Sequence, residues 1–286
     1  MPELPEVETI RRQLAPRVAG RTIVEAEVLD PLWCVPRAPE DVERDLRGER
    51  ITSLDRRGKW LIMELEGERF LVMHLRMTGN LLGVSKAADL PGRPYLRVRL
   101  TLDDSTRVLF VDQRRFGTGV VIDGRDELER HLAQRVGPEP LEPGFTPAVL
   151  ASAARGRKAP VKAFLLDQRR VAGVGNIYAD EALFRARIHP LRPAGRLRRP
   201  DIERLHQGIL EALEAGIQRQ GASIDNYRDA NGDRGSMQDE FLVYSRAGEP
   251  CVRCGRPIVK TVAAGRGTYF CRHCQPAPRR RRVTAS

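Results

Sequence analysis

The first residues of the chain, Met1-Pro2-Glu3-Leu4-Pro5-Glu6-Val7-Glu8, already hold groups that could do chemistry. Initiator methionine is normally trimmed when proline follows it, and trimming here would expose Pro2 as an N-terminal secondary amine beside the Glu3 carboxylate. An α-amino group titrates near ~7.7–8.0 against ~10.4 for lysine, so roughly a tenth of it is unprotonated at neutral pH. Such an amine can attack an aldehyde or a sugar C1′ and form a covalent intermediate. The same octet also reads as a plain helix start, since proline suits a first helical turn.

A second chemical pattern lies near the other end. Four of the five cysteines form Cys251-x2-Cys254-x16-Cys271-x2-Cys274. Two CxxC pairs at this separation have the spacing of a tetrahedral thiolate zinc site, and four protein ligands leave no open position, so the zinc is structural. His273 sits inside the second knuckle and could in principle ligate, though four thiolates already suffice, and Cys34 is left over as an ordinary buried or semi-buried thiol. Between the knuckles, Ile258 to Phe270 alternates loosely and is broken by Gly265-Arg266-Gly267. That pattern predicts a two-stranded hairpin presenting an arginine at its tip, suited to probing DNA.

The charge balance points the same way. Lys+Arg number 49 against 38 Asp+Glu, giving a formal net charge of +11 and a pI near 10.0, and all but five of the basic residues are arginine. Such a chain repels itself least on a polyanion. No run of about 18 apolar residues exists to span a membrane. The acidic start is no signal peptide, and the expected compartment is the cytoplasm or nucleoid, where thiols stay reduced.

The elements that must position these groups divide the 286 residues cleanly. Val7, Ile10, Leu14 and Val18 fall at helical spacing and Gly20 stops the pattern. From about 22 to 123 the signature is strand: Leu96, Val98, Leu100 and Leu102 alternate with Tyr95, Arg97, Arg99 and Thr101 before a turn at Asp103-Asp104-Ser105. Residues 1–136 therefore read as a β-sandwich or flattened barrel with one leading helix. Residues 137–147 form a proline-rich linker. Residues 148–240 turn helical, with Ile202, Leu205, Ile209, Leu213 and Ile217 on one face of a helix opened by Pro200-Asp201 and closed by Gly221. Within this part, 222–240 reads as a long mobile loop; a zinc finger over 241–275 and a basic tail over 276–286, carrying Arg279–Arg282, complete an α+β chain.

Two short motifs remain. A helix entered by Pro160-Val161-Lys162 breaks at Gly173-Val174-Gly175-Asn176-Ile177-Tyr178, and a second helix follows. A glycine-punctuated turn of this kind aims backbone N–H groups at an approaching anion, phosphate being the usual guest. Asp112-Gln113-Arg114-Arg115-Phe116-Gly117 reads as a strand end presenting two arginines and an aromatic ring.

Taken together and in order, these pieces resemble the bacterial formamidopyrimidine-DNA glycosylases, base-excision enzymes that remove oxidised purines. The resemblance runs from residue 1 to about 275 and rests on the opening octet, Arg57-Gly58-Lys59, His74-Leu75-Arg76-Met77-Thr78-Gly79, the Asp112 and Gly173 motifs, and the zinc pattern. The implied fold is a β-sandwich, a helix–two-turn–helix domain and a zinc hairpin, with damaged duplex DNA in the cleft between them. What the resemblance implies for catalysis is attack of Pro2 on C1′ of a flipped nucleotide, leaving a Schiff base. Glu3 would be the acid/base group, Lys59 a phosphate holder that assists elimination, and Arg266 a phosphate clamp in the last elimination step. Met77, Arg114 and Phe116 would fill the vacated stack, Arg114 donating to the orphaned cytosine. His74, Tyr95, Arg157, Lys158, Lys162 and Asn176 complete the implied DNA contacts, and one zinc on the four cysteines is the only cofactor. A monomer is the default.

The sequence departs from the family pattern at Ala163, where proline is frequent, at Tyr95, where a phosphate-contacting histidine is common, and at Ser236-Met237-Gln238, which lacks an aromatic before the glutamine. Two alternatives stand beside this reading. An endonuclease VIII-type glycosylase would share the fold and the N-terminal proline but act on oxidised pyrimidines; Leu4-Pro5 and the divided Met77/Arg114/Phe116 set argue against it. A non-catalytic DNA-binding protein would not need Pro2, Glu3 and Lys59.

Overall fold

The structure, a computed structural model, describes residues 1–85, 94–224 and 226–277. The chain forms two compact units, Met1–Val136 with Ala215–Asp239, and Gly137–Glu214 with Glu240–Ser286.

In the first unit, helix α1 (Leu4–Val18) buries Leu4, Val7, Ile10, Leu14 and Val18, the stripe that the spacing predicts. Strand β1 (Ile23–Val28) and helix α2 (Pro39–Leu46) follow. The α2 segment falls within the stretch expected to be strand, yet Pro39 at its first turn, Glu40 and Asp41 at its positive end, and Val42 and Leu46 one turn apart make it helical. Then come β2 (Ile51–Arg57), β3 (Trp60–Leu65), β4 (Arg69–His74), β5 (Gly79–Val84), β6 (Leu96–Leu102), β7 (Arg107–Asp112), β8 (Thr118–Asp123) and helix α3 (Arg125–Ala133). The strands build two four-stranded antiparallel sheets, ordered β1-β6-β7-β5 and β2-β3-β4-β8. One apolar core takes side chains from both sheets and from α1, with Trp33 and Phe110 meeting edge to face.

The second unit holds α4 (Pro147–Ala154), α5 (Val161–Leu166), α6 (Asn176–Arg185), most of α7 (Arg199–Gln218), and a hairpin of β9 (Val259–Ala263) and β10 (Arg266–Phe270). Ile202, Leu205, Ile209 and Leu213 of α7 are buried as their spacing requires, while Ile217 is only partly so. Among the described residues no helix is long and apolar enough to cross a membrane.

The segment after α7 departs from expectation. Residues 222–224 and 226–239 are bonded onto the first unit instead of forming a loose loop of the helical part. Ala222 N–H donates to Glu6 Oε1 at 2.8 Å, Asn80 brackets the chain through Asn226 O at 3.1 Å and Arg228 N at 2.7 Å, and Gln13 holds Asp229 and Ala230 at 2.8 and 2.9 Å. Tyr227 and Ala230 join the core. The polar composition of this stretch reads locally as a loop, but its partners are side chains that lie far off in sequence.

Glu8 anchors α1 to β2. Its carboxylate receives Arg11 at 2.8 Å, Arg12 at 2.7 Å and Arg56 at 3.0 Å. Burial alone would raise this carboxyl, but the three guanidinium hydrogen bonds outweigh it and bring it down to about 2. A carboxyl whose folded value is depressed adds stability above its unfolded value, and that stability is lost as pH falls towards the folded one. Glu8→Gln is therefore expected to cost about 3 kcal/mol at pH 7 by removing the carboxylate that pairs with buried Arg56. Thermal unfolding of variant and wild type should converge as pH falls from 4.5 towards about 2. An equal gap at every pH would contradict this account.

Candidate functional site

In the first unit, the prospective reactive groups sit on two elements that are tied together. Pro2 is buried and Glu3 caps α1. Glu3 N–H donates to Glu6 Oε2 at 2.8 Å, one half of a reciprocal capping box, while the other Glu6 oxygen holds Ala222. Lys59 is the second residue of the tight turn joining β2 and β3, and Gly58 before it adopts φ +58°, which such a turn demands. Arg56 donates to Gly58 O at 3.0 Å while also bonded to Glu8. The turn bearing Lys59 is thus fixed to the helix whose N-terminus bears Pro2 and Glu3.

His74 stands at the end of β4. Its ring meets Trp60 edge to face at 4.7 Å, and its Nδ1 accepts Arg76 N–H at 2.9 Å. Burial, reinforced by the charges of Arg76 and Lys59, pushes the imidazole down to about 3. The ring is therefore neutral at physiological pH, and with Nδ1 accepting, its proton sits on Nε2 while the Nδ1 bond shapes the turn that leads to Met77.

Met77 is half-buried on that turn, and Arg114 and Phe116 are exposed on the neighbouring loop, Phe116 at 50%. The Arg114 guanidinium lies 4.7 Å from the Phe116 ring centroid. Arg115 turns the other way, in a bidentate pair with buried Asp30 at 2.7 and 2.8 Å. Tyr95 is exposed at the start of β6, and its carbonyl accepts Asp112 N–H at 2.9 Å. The structure thus brings Met77, Tyr95, Arg114 and Phe116 onto adjoining segments.

In the second unit, α5 and α6 are separated by a turn in which Gly173 has φ +77°. Asn176 opens α6, where N–H groups lack intrahelical acceptors, and its Nδ2 lies 3.4 Å from the Tyr244 hydroxyl. Arg157 and Lys158 are exposed on the turn after α4. Arg266 is exposed where β10 leaves the Ala264-Gly265 turn, both of whose residues have positive φ. The hairpin is therefore as expected, with Arg266 just past its tip.

Lys162 is a correction. The resemblance implies a phosphate contact at this position, but the side chain is fully buried, paired with Asp180 Oδ1 at 2.8 Å and donating to Gly267 O at 2.8 Å. Asp180 Oδ2 in turn accepts Tyr269 N–H at 2.9 Å. Burial pushes the Asp180 carboxyl up, to about 7, against the pull of Lys162. The pair grips β10 immediately beyond Arg266, so Lys162 supports a strand where the sequence suggested direct anion contact.

The four cysteine sulfurs lie within 4.8 Å of one another, with Cys251–Cys274 at 3.8 Å and Cys254–Cys271 at 3.5 Å. A tetrahedral site with Zn–S of about 2.3 Å requires sulfurs about 3.8 Å apart, so these residues fit one zinc. His273 is exposed and its Nδ1 lies 3.0 Å from Arg256, outside the ligand set. Gln275, fully buried, closes the second knuckle by accepting Cys271 N–H at 3.0 Å and donating to Ile188 O at 2.9 Å. Cys34 is buried and stands apart from the zinc cysteines.

Sequence reasoning missed Glu6, Glu181 and Asp112. Glu6 carried a signal, an acidic residue three places after the N-cap. Glu181 carried none; its buried carboxylate accepts the N–H groups of Leu242, Val243 and Tyr244 at 3.0–3.1 Å. Asp112 heads a motif in which the sequence draws attention to the arginines and the phenylalanine.

Residues 1–119 match the formamidopyrimidine-DNA glycosylase N-terminal domain, 136–228 the H2TH domain of the same enzymes, and 248–277 a zinc finger found in FPG and IleRS. The chain is 48% identical to a formamidopyrimidine-DNA glycosylase of Symbiobacterium thermophilum over 279 residues, 97% of this chain and 90% of that protein. Among solved structures, Lactococcus lactis Fpg bound to DNA with an abasic site, and a glycine-to-proline mutant of it bound to Fapy-dG DNA, each superpose with a TM-score of 0.89 at 37% identity, covering 96% of this chain and all of theirs.

Zinc removal can be followed unit by unit, because Trp33 and Trp60 lie in the first unit and Tyr244 and Tyr269 in the second. The purified protein is expected to hold one zinc. Stripping it should expose amides of 248–277 to hydrogen exchange by several kcal/mol of lost protection, of the order zinc supplies to small metal-bound folds. Tryptophan emission should stay unchanged. Unaltered protection of these amides without metal would contradict the assignment.

Proposed function

Because this chain belongs to the formamidopyrimidine-DNA glycosylase family, we propose that it excises oxidised purines, 8-oxoguanine and formamidopyrimidines, from duplex DNA and then cleaves the strand at the abasic site. The observation that carries this reading is the fixed N-terminus, with Pro2 and Glu3 held by the Glu6 capping box on a helix braced to the Lys59 turn.

Removal of Met1 frees the Pro2 amine. Its nitrogen bonds to C1′ of an extruded nucleotide as the C1′–N glycosidic bond breaks and the base leaves with a proton. Glu3 handles the protons of base and sugar during ring opening, which gives the imine. The imine acidifies the C2′ proton; its loss expels the 3′ phosphate, and a second elimination expels the 5′ phosphate, leaving a one-nucleotide gap. Lys59 and Arg266 hold the phosphates through these steps. Zinc supplies no chemistry and serves to fix the hairpin that carries Arg266.

Met77, Arg114 and Phe116 occupy the space the nucleotide leaves, apolar groups wedging the stack and Arg114 donating to the partner cytosine. Exposed Arg157 and Lys158 add phosphate contacts, so affinity falls steeply with salt. With DNA as substrate, the protein works at the nucleoid. The Fapy-dG DNA bound by the Lactococcus relative supports this lesion class, and the abasic-site DNA supports the strand-cleavage step. The same relative has also been solved with DNA carrying an oxidised pyrimidine, which is why the test includes one.

The test compares single-turnover excision of 8-oxoguanine opposite cytosine with that of thymine glycol in the same duplex. Faster excision of 8-oxoguanine is expected, with loss of at least about 100-fold in Pro2→Gly, which cannot offer the same secondary amine. Preference for thymine glycol would move the chain to the oxidised-pyrimidine enzymes, and full activity in Pro2→Gly would overturn the Schiff-base route.

A further inference from the structure

We infer that Asp112 is the positioning residue that locks the two void-filling loops into one unit, so that wedge insertion and reading of the orphaned base occur together. This rests on the void-filling roles proposed above for Met77, Arg114 and Phe116.

The side chain of Asp112 lies at the end of β7 and is only 1% exposed, with no guanidinium or ammonium among its described hydrogen-bond partners. Its carboxylate is instead spent on loop geometry. One oxygen accepts the Thr78 hydroxyl, beside Met77, and also Arg114 N–H at 3.2 Å. The other accepts Gly117 N–H at 2.7 Å, beside Phe116. The Thr78 hydroxyl is shared as well, accepting Arg114 N–H at 3.1 Å. The Asp112 backbone extends the hub, its N–H donating to Tyr95 O at 2.9 Å and its carbonyl accepting Arg97 Nε–H at 2.8 Å. Four expected contact residues thus hang from the surroundings of one carboxylate.

Two details make the arrangement specific to a carboxylate. All three side-chain partners are donors, so an amide in its place must point its NH2 at one of them. Gly117 also leaves no freedom for rearrangement, since a Cβ there would lie 2.5 Å from the Phe110 ring and 3.1 Å from the carboxylate itself. The loop therefore has one seat, and Asp112 defines it relative to the Met77 turn. Displacement of either loop would separate Met77 from Phe116 and from Arg114, which reads the partner base.

The test uses the full-length protein and two variants, Asp112→Asn, which preserves shape, and Thr78→Val, which leaves Asp112 and its bond to Gly117 intact. Three substrates are compared: duplex with 8-oxoguanine opposite cytosine, the same lesion opposite adenine, and a single-stranded abasic oligonucleotide trapped with borohydride. The single strand has no stack to open and no partner base to read. Both variants are expected to lose about 10- to 100-fold in excision opposite cytosine, the size of one or two charge-assisted hydrogen bonds, and to narrow the cytosine-over-adenine ratio. Single-strand trapping should stay within about threefold of wild type, less than one such bond. Unchanged duplex excision and unchanged discrimination in both variants would overturn the proposal. Equal losses on all three substrates would also overturn it, because Asp112 would then act only through the fold. Inactivity of the wild type on every substrate would instead overturn the glycosylase reading on which it rests.

Discussion

The nucleophile proposed at the chain terminus is useful only if the terminus does not fray, and in this protein the terminus is held by the Glu6 carboxylate. Chain ends are ordinarily the least ordered part of a fold. Here one oxygen of Glu6 accepts the N–H of Glu3 and the other accepts the N–H of Ala222, so the start of the chain and the segment after α7 share one buried group. Pro5 inside the first turn of α1 gives up an N–H that a helix start cannot use anyway, which leaves fewer orphan donors to satisfy. Every later requirement of the proposed chemistry, from the approach of an amine to C1′ to the aim of Lys59, presupposes this fixed end.

The same device recurs through the molecule. A chain with a net charge of +11 keeps its cations largely outward, while a few acids are turned inward as organisers. Glu8 gathers three arginines and braces the Lys59 turn through Arg56; Asp112 sets the loops of Met77 and Phe116. Asp180 with Lys162 grips the strand after Arg266, and Glu181 receives three consecutive backbone N–H groups. A buried carboxylate is costly unless it is paired or hydrogen-bonded, so each of these sites is tolerated only because its partners are in place. The placement of Lys59 and Arg266 is therefore inherited from buried acids that lie away from the groups they orient.

Much of this was legible in the sequence where the signal is local. The four cysteines announce zinc because their spacing alone brings ligands together, and the strand at Leu96–Leu102 and the stripe of α1 follow from period. What escaped depends on distant partners. Lys162 reads as a phosphate contact, because lysine is rarely buried, until α6 places Asp180 beside it. The polar stretch after Gly221 reads as a mobile loop until Gln13, Asn80 and Glu6 supply its hydrogen bonds from elsewhere in the first unit. Pairing at such sequence separations leaves no local pattern to detect.

The proposed chemistry stands or falls on whether the terminal amine of Pro2 becomes covalently bonded to DNA. Reduction with borohydride of the protein bound to a duplex carrying an abasic site, followed by proteolysis and mass spectrometry, tests this directly. A stable adduct on an N-terminal peptide that begins at Pro2, with Met1 absent, is the expected result. An adduct on Lys59, or none on a protein that binds the duplex, would contradict it.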